Sequence, residues 1–172
     1  MGILRAAAKT AWREYLRTHH PIFKFKILQF WDHLSTERRK EAEAALERAH
    51  RHWNNFSLDE KLVYIRMLDS TARKGKHYYA LLEFAGRCHL DIAKQLISTN
   101  FGKEAHAHAR SASRHLKRAI SVNEHHHMAH FLLGVALEIQ DQRKQARKCY
   151  KRANKLDPLD ANVINALKRL SN

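Results

Sequence analysis

Apolar residues recur three and four positions apart along most of the chain, the spacing that lines one face of an α-helix. Punctuation residues divide that pattern into segments. A first helix is expected over Ile3 to His19, stopping before Pro21, which disfavours helical geometry at His20; a shorter one follows over Phe23 to His33. Ser35 and Thr36 can cap a third over Glu37 to His52, where alternating charges at four-residue spacing mark a largely solvated face. Ser57 with Glu60 three residues on forms a capping box. It opens a helix that carries Leu62, Ile65 and Leu68 on one stripe to about Thr71 and closes in "ARKGK" at Gly75. Further helices are predicted over Tyr78 to Ser98, Glu104 to Val122, Met128 to Gln140, Arg143 to Leu156 and Ala161 to Leu170. The first two are joined by "TNFGK", and Pro158 ends the fourth. Loops of a few residues between consecutive helices predict antiparallel packing. The expected fold class is all-α, built of antiparallel helical hairpins, with a basic helical region over residues 1–75 and hairpins plus a capping helix over 76–172.

One window carries a denser pattern. Leu133-Gly134, Leu137, Ala146, Tyr150, Ala153 and Pro158 stand at fixed offsets within 34 residues, His127 to Asp160. This resembles a tetratricopeptide repeat, with His130 where the first aromatic of the pattern belongs. The resemblance implies that Gly134 and Ala146 let two helices approach closely, that Tyr150 fills the space beside them and that Ala153 fits the next crossing. A single repeat cannot bury both faces, so neighbours are required. Ala85-Gly86 stand where Leu-Gly would in the preceding hairpin, and Leu116 and Ala119 lie 34 residues before Tyr150 and Ala153. About fourteen extra residues separate the halves of that hairpin, enough to lengthen each helix by about two turns. The repeat-like region is therefore expected over about 78–170. The family binds peptides or proteins. A subset clamps carboxylates with Lys, Asn and Arg on the first helix, where this repeat carries Met128, Phe131, Leu132 and Val135, an apolar groove that cannot pair a carboxylate.

Composition sharpens the picture. Only 5 Gly and 2 Pro occur among 172 residues, as long helices with short turns demand. The formal charge of +15 implies a polyanionic neighbour: RNA, DNA, an anionic membrane face or an acidic protein surface. Cys88 and Cys149 lie inside helical patterns without CxxC spacing, which predicts buried reduced thiols. No run reaches the roughly 18–20 apolar residues of a membrane-spanning helix, and Ile22 to Trp31 is both short and interrupted by Lys24 and Lys26. The start, with Arg5, Lys9, Arg13 and Arg17 at four-residue spacing and Glu14 its only acid before Asp32, has the make-up of a mitochondrial targeting segment, expected to be retained. An ordinary helix with a basic stripe is the alternative.

The first half holds two related stretches, Trp31 to Arg39 and Trp53 to Lys61, each with Trp, two polar residues, a large apolar residue and Ser. In each the Trp and the apolar residue can staple the cap. Two family resemblances follow. Trp53, Phe56-Ser57, Glu60-Lys61 and Tyr64 are similar to an HMG box, but Pro21 to Trp31 is too short for its second helix and residues able to wedge between base pairs have no counterpart. Over about 32–67, His33-Leu34-Ser35, a charged helix, then Trp53, Phe56, Ser57, Asp59, Glu60, Lys61 and Arg66 resemble the matrix segment of mitochondrial cytochrome c oxidase subunit IV. That family continues into a transmembrane helix, whereas this chain continues into repeat hairpins.

Fourteen histidines raise the question of metal. His126 and His130 are four apart, but no HExxH or Cys/His zinc pattern surrounds them. His125 to His127 fall in a turn and His106, His108 and His115 on a polar helix, so solvated imidazoles are expected. No phosphate loop, nucleophile elbow or isolated carboxylate pair occurs. No catalytic, cofactor-binding or metal-ligating residue is assigned, and no small-molecule substrate is expected. The function expected is a non-catalytic accessory subunit of a large mitochondrial assembly, a respiratory complex on the matrix side of the inner membrane, with protein partners and an anionic lipid or RNA contact. The alternatives are an RNA-contacting mitochondrial ribosomal protein and an HMG-like nucleic-acid binder.

Overall fold

The structure, a computed structural model, describes residues 35–74 and 78–170. The helices expected over Ile3 to His19 and Phe23 to His33, with the targeting segment and the first Trp-Ser stretch up to Leu34, lie outside the described residues, as does Gly75. The helices are α1 (Thr36–Trp53), α2 (Leu58–Lys74), α3 (Tyr79–Ser98), α4 (Gly102–Val122), α5 (His127–Ile139), α6 (Arg143–Leu156) and α7 (Ala161–Arg169). Among the described residues the architecture is all-α, without a strand. Boundaries fall within about three residues of those expected.

α3 and α4 pack as one antiparallel hairpin and α5 and α6 as the next, with α4 laid along α5 and α7 closing against α6. Small residues set the spacing. On α4, Ala105, Ala109, Ala112, Leu116 and Ala119 form a fully buried stripe at alternating four- and three-residue steps, the register of a helix seam. A Cβ added to Gly86 would stand 2.6 Å from Leu116 Cγ, and one added to Gly134 would stand 2.6 Å from Tyr150 Cδ1. Both distances are far inside van der Waals contact, so the helices meet where only glycine fits. The two clashes involve residues 34 apart, 116 and 150. This is the repeat expected from the sequence, seen as geometry. α3 has 20 residues against 13 in α5, and α4 has 21 against 14 in α6. The extra residues thus divide evenly, seven to each helix, and preserve the crossing.

The hairpin turns are also alike. α3 ends with Asn100 at φ 66° and α5 with Asp141 at φ 59°. In each case a backbone N–H beyond the turn returns to the helix, Phe101 to Leu96 O at 2.8 Å and Gln142 to Leu137 O at 2.8 Å. Asn and Asp are the side chains that tolerate this left-handed conformation best after glycine.

α1 and α2 cover a further side of α3. Leu46, Ala49, Trp53, Tyr64, Ile65, Leu68 and Ala72 share one continuous core with Leu81, Leu82, Phe84, Ala85 and Cys88 of α3. The Ser57 capping box forms as expected: Ser57 N donates to Glu60 Oε2 at 2.8 Å, and Glu60 N points to Ser57 Oγ at 3.4 Å. At α1 the expectation is only half met, since Ser35 is the N-cap residue but its side chain accepts no cap hydrogen bond. Arg118 of α4 donates to Ala72 O at 3.0 Å, filling a carbonyl near the end of α2. Cys88 is buried and Cys149 half-buried, both as free thiols, and burial pushes each thiol above its ordinary range.

Gly134→Ala should lower stability. Overpacking against the rigid Tyr150 ring costs about 1–3 kcal/mol, and the better helix propensity of alanine returns only about 1. Gly86→Ala should do the same against Leu116. Urea denaturation of the two variants and the parent checks this: stabilisation by either would mean that the close crossing is absent.

Candidate functional site

Two regions gather chemistry. The first is the exposed side of α5. Leu133, Gly134, Leu137, Ala146, Tyr150 and Ala153 are buried within the repeat, while Pro158 is exposed in the turn before α7. Met128, Phe131, Leu132 and Val135 remain half-exposed. Phe131 lies on the Tyr150 ring at 5.7 Å between centroids, and Leu132 and Val135 flank the same core. Further along α5, Glu138 accepts from the Tyr150 hydroxyl and pairs with Arg169 Nη2 of α7 at 2.6 Å. Burial first, and then the carboxylate, push the Tyr150 phenol well above its ordinary range. The acidic residue of this face is thus committed to holding α7, and what the face offers outward is apolar.

The second region is polar and internal. Trp53 Nε1 donates to Asp91 Oδ2 at 2.9 Å, and Lys61 Nζ reaches the same oxygen at 2.7 Å. The ammonium also sits 5.4 Å from the Trp53 ring centroid. Trp53, Phe56 and Tyr64 form a mutual ring cluster with centroids 5.5 to 6.4 Å apart. Of the residues in the subunit IV-like stretch, Trp53 and Lys61 are therefore buried against α3, Phe56 is half-buried, and Ser57 and Glu60 cap α2, while Asp59 and Arg66 face solvent. Tyr64, aligned with the HMG box, is 2% exposed in the core.

The histidines divide sharply. His106 and His125 are solvated or half-solvated, as expected, and His127 lies 3.6 Å from Asp157 and 3.7 Å from Asp160. His126 turns to Glu83 at 3.6 Å and His130 Nε2 to Glu124 O at 2.9 Å, so the four-residue spacing does not unite them on one ligand. His115, expected on a solvated face, is instead 3% exposed, and His89 of α3 likewise. Their Nε2 atoms lie 2.8 and 2.9 Å from one oxygen, Asp69 Oδ1 on α2. His89 Nδ1 is 2.9 Å from His108 Nδ1, and the His89 and His115 rings stack at 5.7 Å. Burial acts to raise the Asp69 carboxyl, but the two imidazole hydrogen bonds outweigh it and hold the group well below the usual carboxylate range. His108 is pushed down, chiefly by burial and then by the charge of His89. Sequence reading missed this cluster because its members come from three helices with no local motif. The available signal was register: His108 and His115 are seven apart and flank the Ala105 to Ala119 stripe.

No protein-family model and no curated protein sequence matches the chain. Among solved structures, 13 chains match. One is the first tetratricopeptide domain of Spaghetti (RPAP3) bound to an HSP90 peptide, SRMEEVD, with TM-score 0.55 and 16% identity over 73% of this chain and 86% of that one. Another is the MamA RS-1 ArsTM double mutant, with TM-score 0.56 and 16% identity over 95% of this chain and 80% of that one. The class of the fold is therefore a tetratricopeptide-like helical repeat. At such identity the likeness is one of fold.

Asp91 makes a prediction by its asymmetry with Lys61, whose side chain is 5% exposed against 37% for the carboxylate. Asp91→Ala strands a buried ammonium and an indole N–H, and should cost about 3 kcal/mol. Lys61→Met leaves a half-exposed carboxylate still served by Trp53 and Gln95, and should cost no more than about 1. Equal losses in urea denaturation would contradict this division.

Proposed function

We propose that the chain is a non-catalytic protein-interaction module whose α5 face receives an apolar segment of a partner, while the outer sides of α4 and α6 meet an acidic surface. One observation carries the reading. Where a carboxylate-clamping repeat places cations and amides, this chain places Met128, Phe131, Leu132 and Val135, all half-exposed. One similar structure holds an HSP90 peptide; this chain keeps that type of fold with apolar groups at the clamp positions, so an apolar segment is the ligand expected. On the other side, Arg110, Arg114 and Lys117 of α4 and Arg147, Lys148 and Lys151 of α6 are exposed. Such a field steers association more than it fixes affinity.

Met128→Glu should weaken partner capture about tenfold or more, since it places a charge in an apolar contact, while its melting temperature stays near that of the parent, because Met128 packs against neither core cluster. Arg147→Glu with Lys151→Glu should mainly slow association and flatten its salt dependence. Capture unaffected by the α5 variant but lost steeply with salt would transfer the function to phosphate binding.

The finer reading is an accessory subunit of a respiratory complex on the matrix side of the mitochondrial inner membrane. The resemblance of residues 32–67 to oxidase subunit IV supports it, and the +15 charge suits anionic lipid. The charge suits ribosomal RNA equally. Mass spectrometry of the native-gel band from source membranes should show haem-bearing oxidase subunits co-migrating; ribosomal proteins in their place would favour the RNA-contacting alternative.

A further inference from the structure

Asp69, His89 and His115 offer one oxygen and two nitrogens, all within 4.8 Å of one another. They come from α2, α3 and α4. We propose that this cluster is a binding site for a divalent transition-metal ion, with zinc the best match, and that the ion clamps α2 to the α3–α4 hairpin.

The donor set is the first ground. Two imidazoles and one carboxylate suit zinc, and suit magnesium or calcium poorly, since those ions prefer oxygen. Distance is the second. Both Nε2 atoms already point at one Asp69 oxygen, at 2.8 and 2.9 Å. Zinc bonds of about 2.0–2.2 Å in tetrahedral array would need each Nε2 to part from the Asp69 oxygen by only about half an ångström. Asp69, with a side chain 33% exposed, has room to withdraw.

Proton balance is also met. Without an ion, each Nε2 carries a hydrogen toward the carboxylate, and His108 donates from Nδ1 to His89 Nδ1. With an ion on Nε2, the ring proton of His89 moves to Nδ1 and donates to His108 Nδ1, whose own proton moves to its Nε2. The His89–His108 bond at 2.9 Å thus survives with its direction reversed, and it orients the ligand ring as an outer partner of a metal-bound histidine does. His115 makes the same shift, which leaves a proton on its Nδ1, a buried atom without a hydrogen-bond partner, so the metal–nitrogen bond has to offset that unmet donor.

Access and cost complete the case. A cleft of about 310 Å³ lined by Leu62, Arg66, Asp69, His89, His108 and Ser111 opens beside the cluster, giving an entry path and a place for water in the fourth position. Two imidazoles whose side chains are each 4% exposed are a costly way to join helices that apolar residues could join. Among the described residues no other group of three converges in this way.

The test is calorimetric titration of the tag-free full chain with zinc, alongside cobalt, whose visible absorption reports a four-coordinate site. One tight site is expected, together with a zinc-dependent rise in melting temperature. Asp69→Asn, which keeps shape and a carbonyl acceptor, should weaken that site about tenfold or more and abolish the melting shift. His115→Gln, which keeps a donor toward Asp69, provides a second variant should the first fail to fold. A His125→Ala and His127→Ala double variant should retain the tight site. Undiminished binding in Asp69→Asn or His115→Gln, loss of the tight site in the double variant, or no tight site in the parent would each overturn the proposal.

Discussion

The rest of the molecule is arranged around a helix with almost no solvated side. α3 buries Leu81 to Gly86 without a break, and then Cys88, His89, Leu90, Ile92, Ala93 and Leu96. A helix apolar over so much of its circumference must be covered on more than one flank. α4 covers one flank through a seam of alanines, and α1 with α2 covers another. The first half of the described chain is therefore best understood as a cover. Without α1 and α2, Phe84, Leu81 and Cys88 would lose the partners that keep them dry.

Covering α3 on these flanks creates the two polar knots. Asp91 and Glu83 belong to α3 itself, and His89 lies between them in sequence. Each finds its partner on a covering element or its own helix: Asp91 takes Lys61 and Trp53 from α1 and α2, His89 takes Asp69 from α2, and Glu83 takes Arg87 within α3. Buried polar groups must be paired, and paired groups fix which surfaces meet. Apolar burial supplies the attraction between α2 and α3; Asp91 and Asp69, whose bonds cross between the two helices, settle the register at which it is realised.

Much of this was legible in the sequence for one reason: helix ends and repeat crossings are local or fixed-offset properties. The capping box at Ser57 and Glu60, the stop at Pro158 and the 34-residue offset from Leu116 to Tyr150 needed no knowledge of the fold. Even the longer hairpin was legible, because extra residues shared evenly between two helices leave their crossing unchanged. What escaped was long-range. Nothing in "HWNNFSLDEK" says that its Trp and Lys converge on a carboxylate thirty residues away, so the stretch read equally well as a motif borrowed from a family. His115 escaped for a related reason. Arg114 beside it and Lys117 two positions on are exposed, and local polarity masked a position that the alanine stripe places inside.

The way charge is distributed between interior and surface bears directly on what the molecule meets. Asp69, Asp91, Glu83 and Glu138 are all engaged by internal donors, whereas the cations of α4 and α6 mostly point outward. The field that α4 and α6 turn outward is positive, because Glu104 is the one exposed acid on those two helices against Arg110, Arg114, Lys117, Arg147, Lys148 and Lys151. A surface of this kind attracts any polyanion quickly and tells them apart poorly. Selectivity has to come from somewhere less charged. The half-exposed apolar residues of α5 are such a place: they add little to long-range attraction, but they favour only a partner able to fill them.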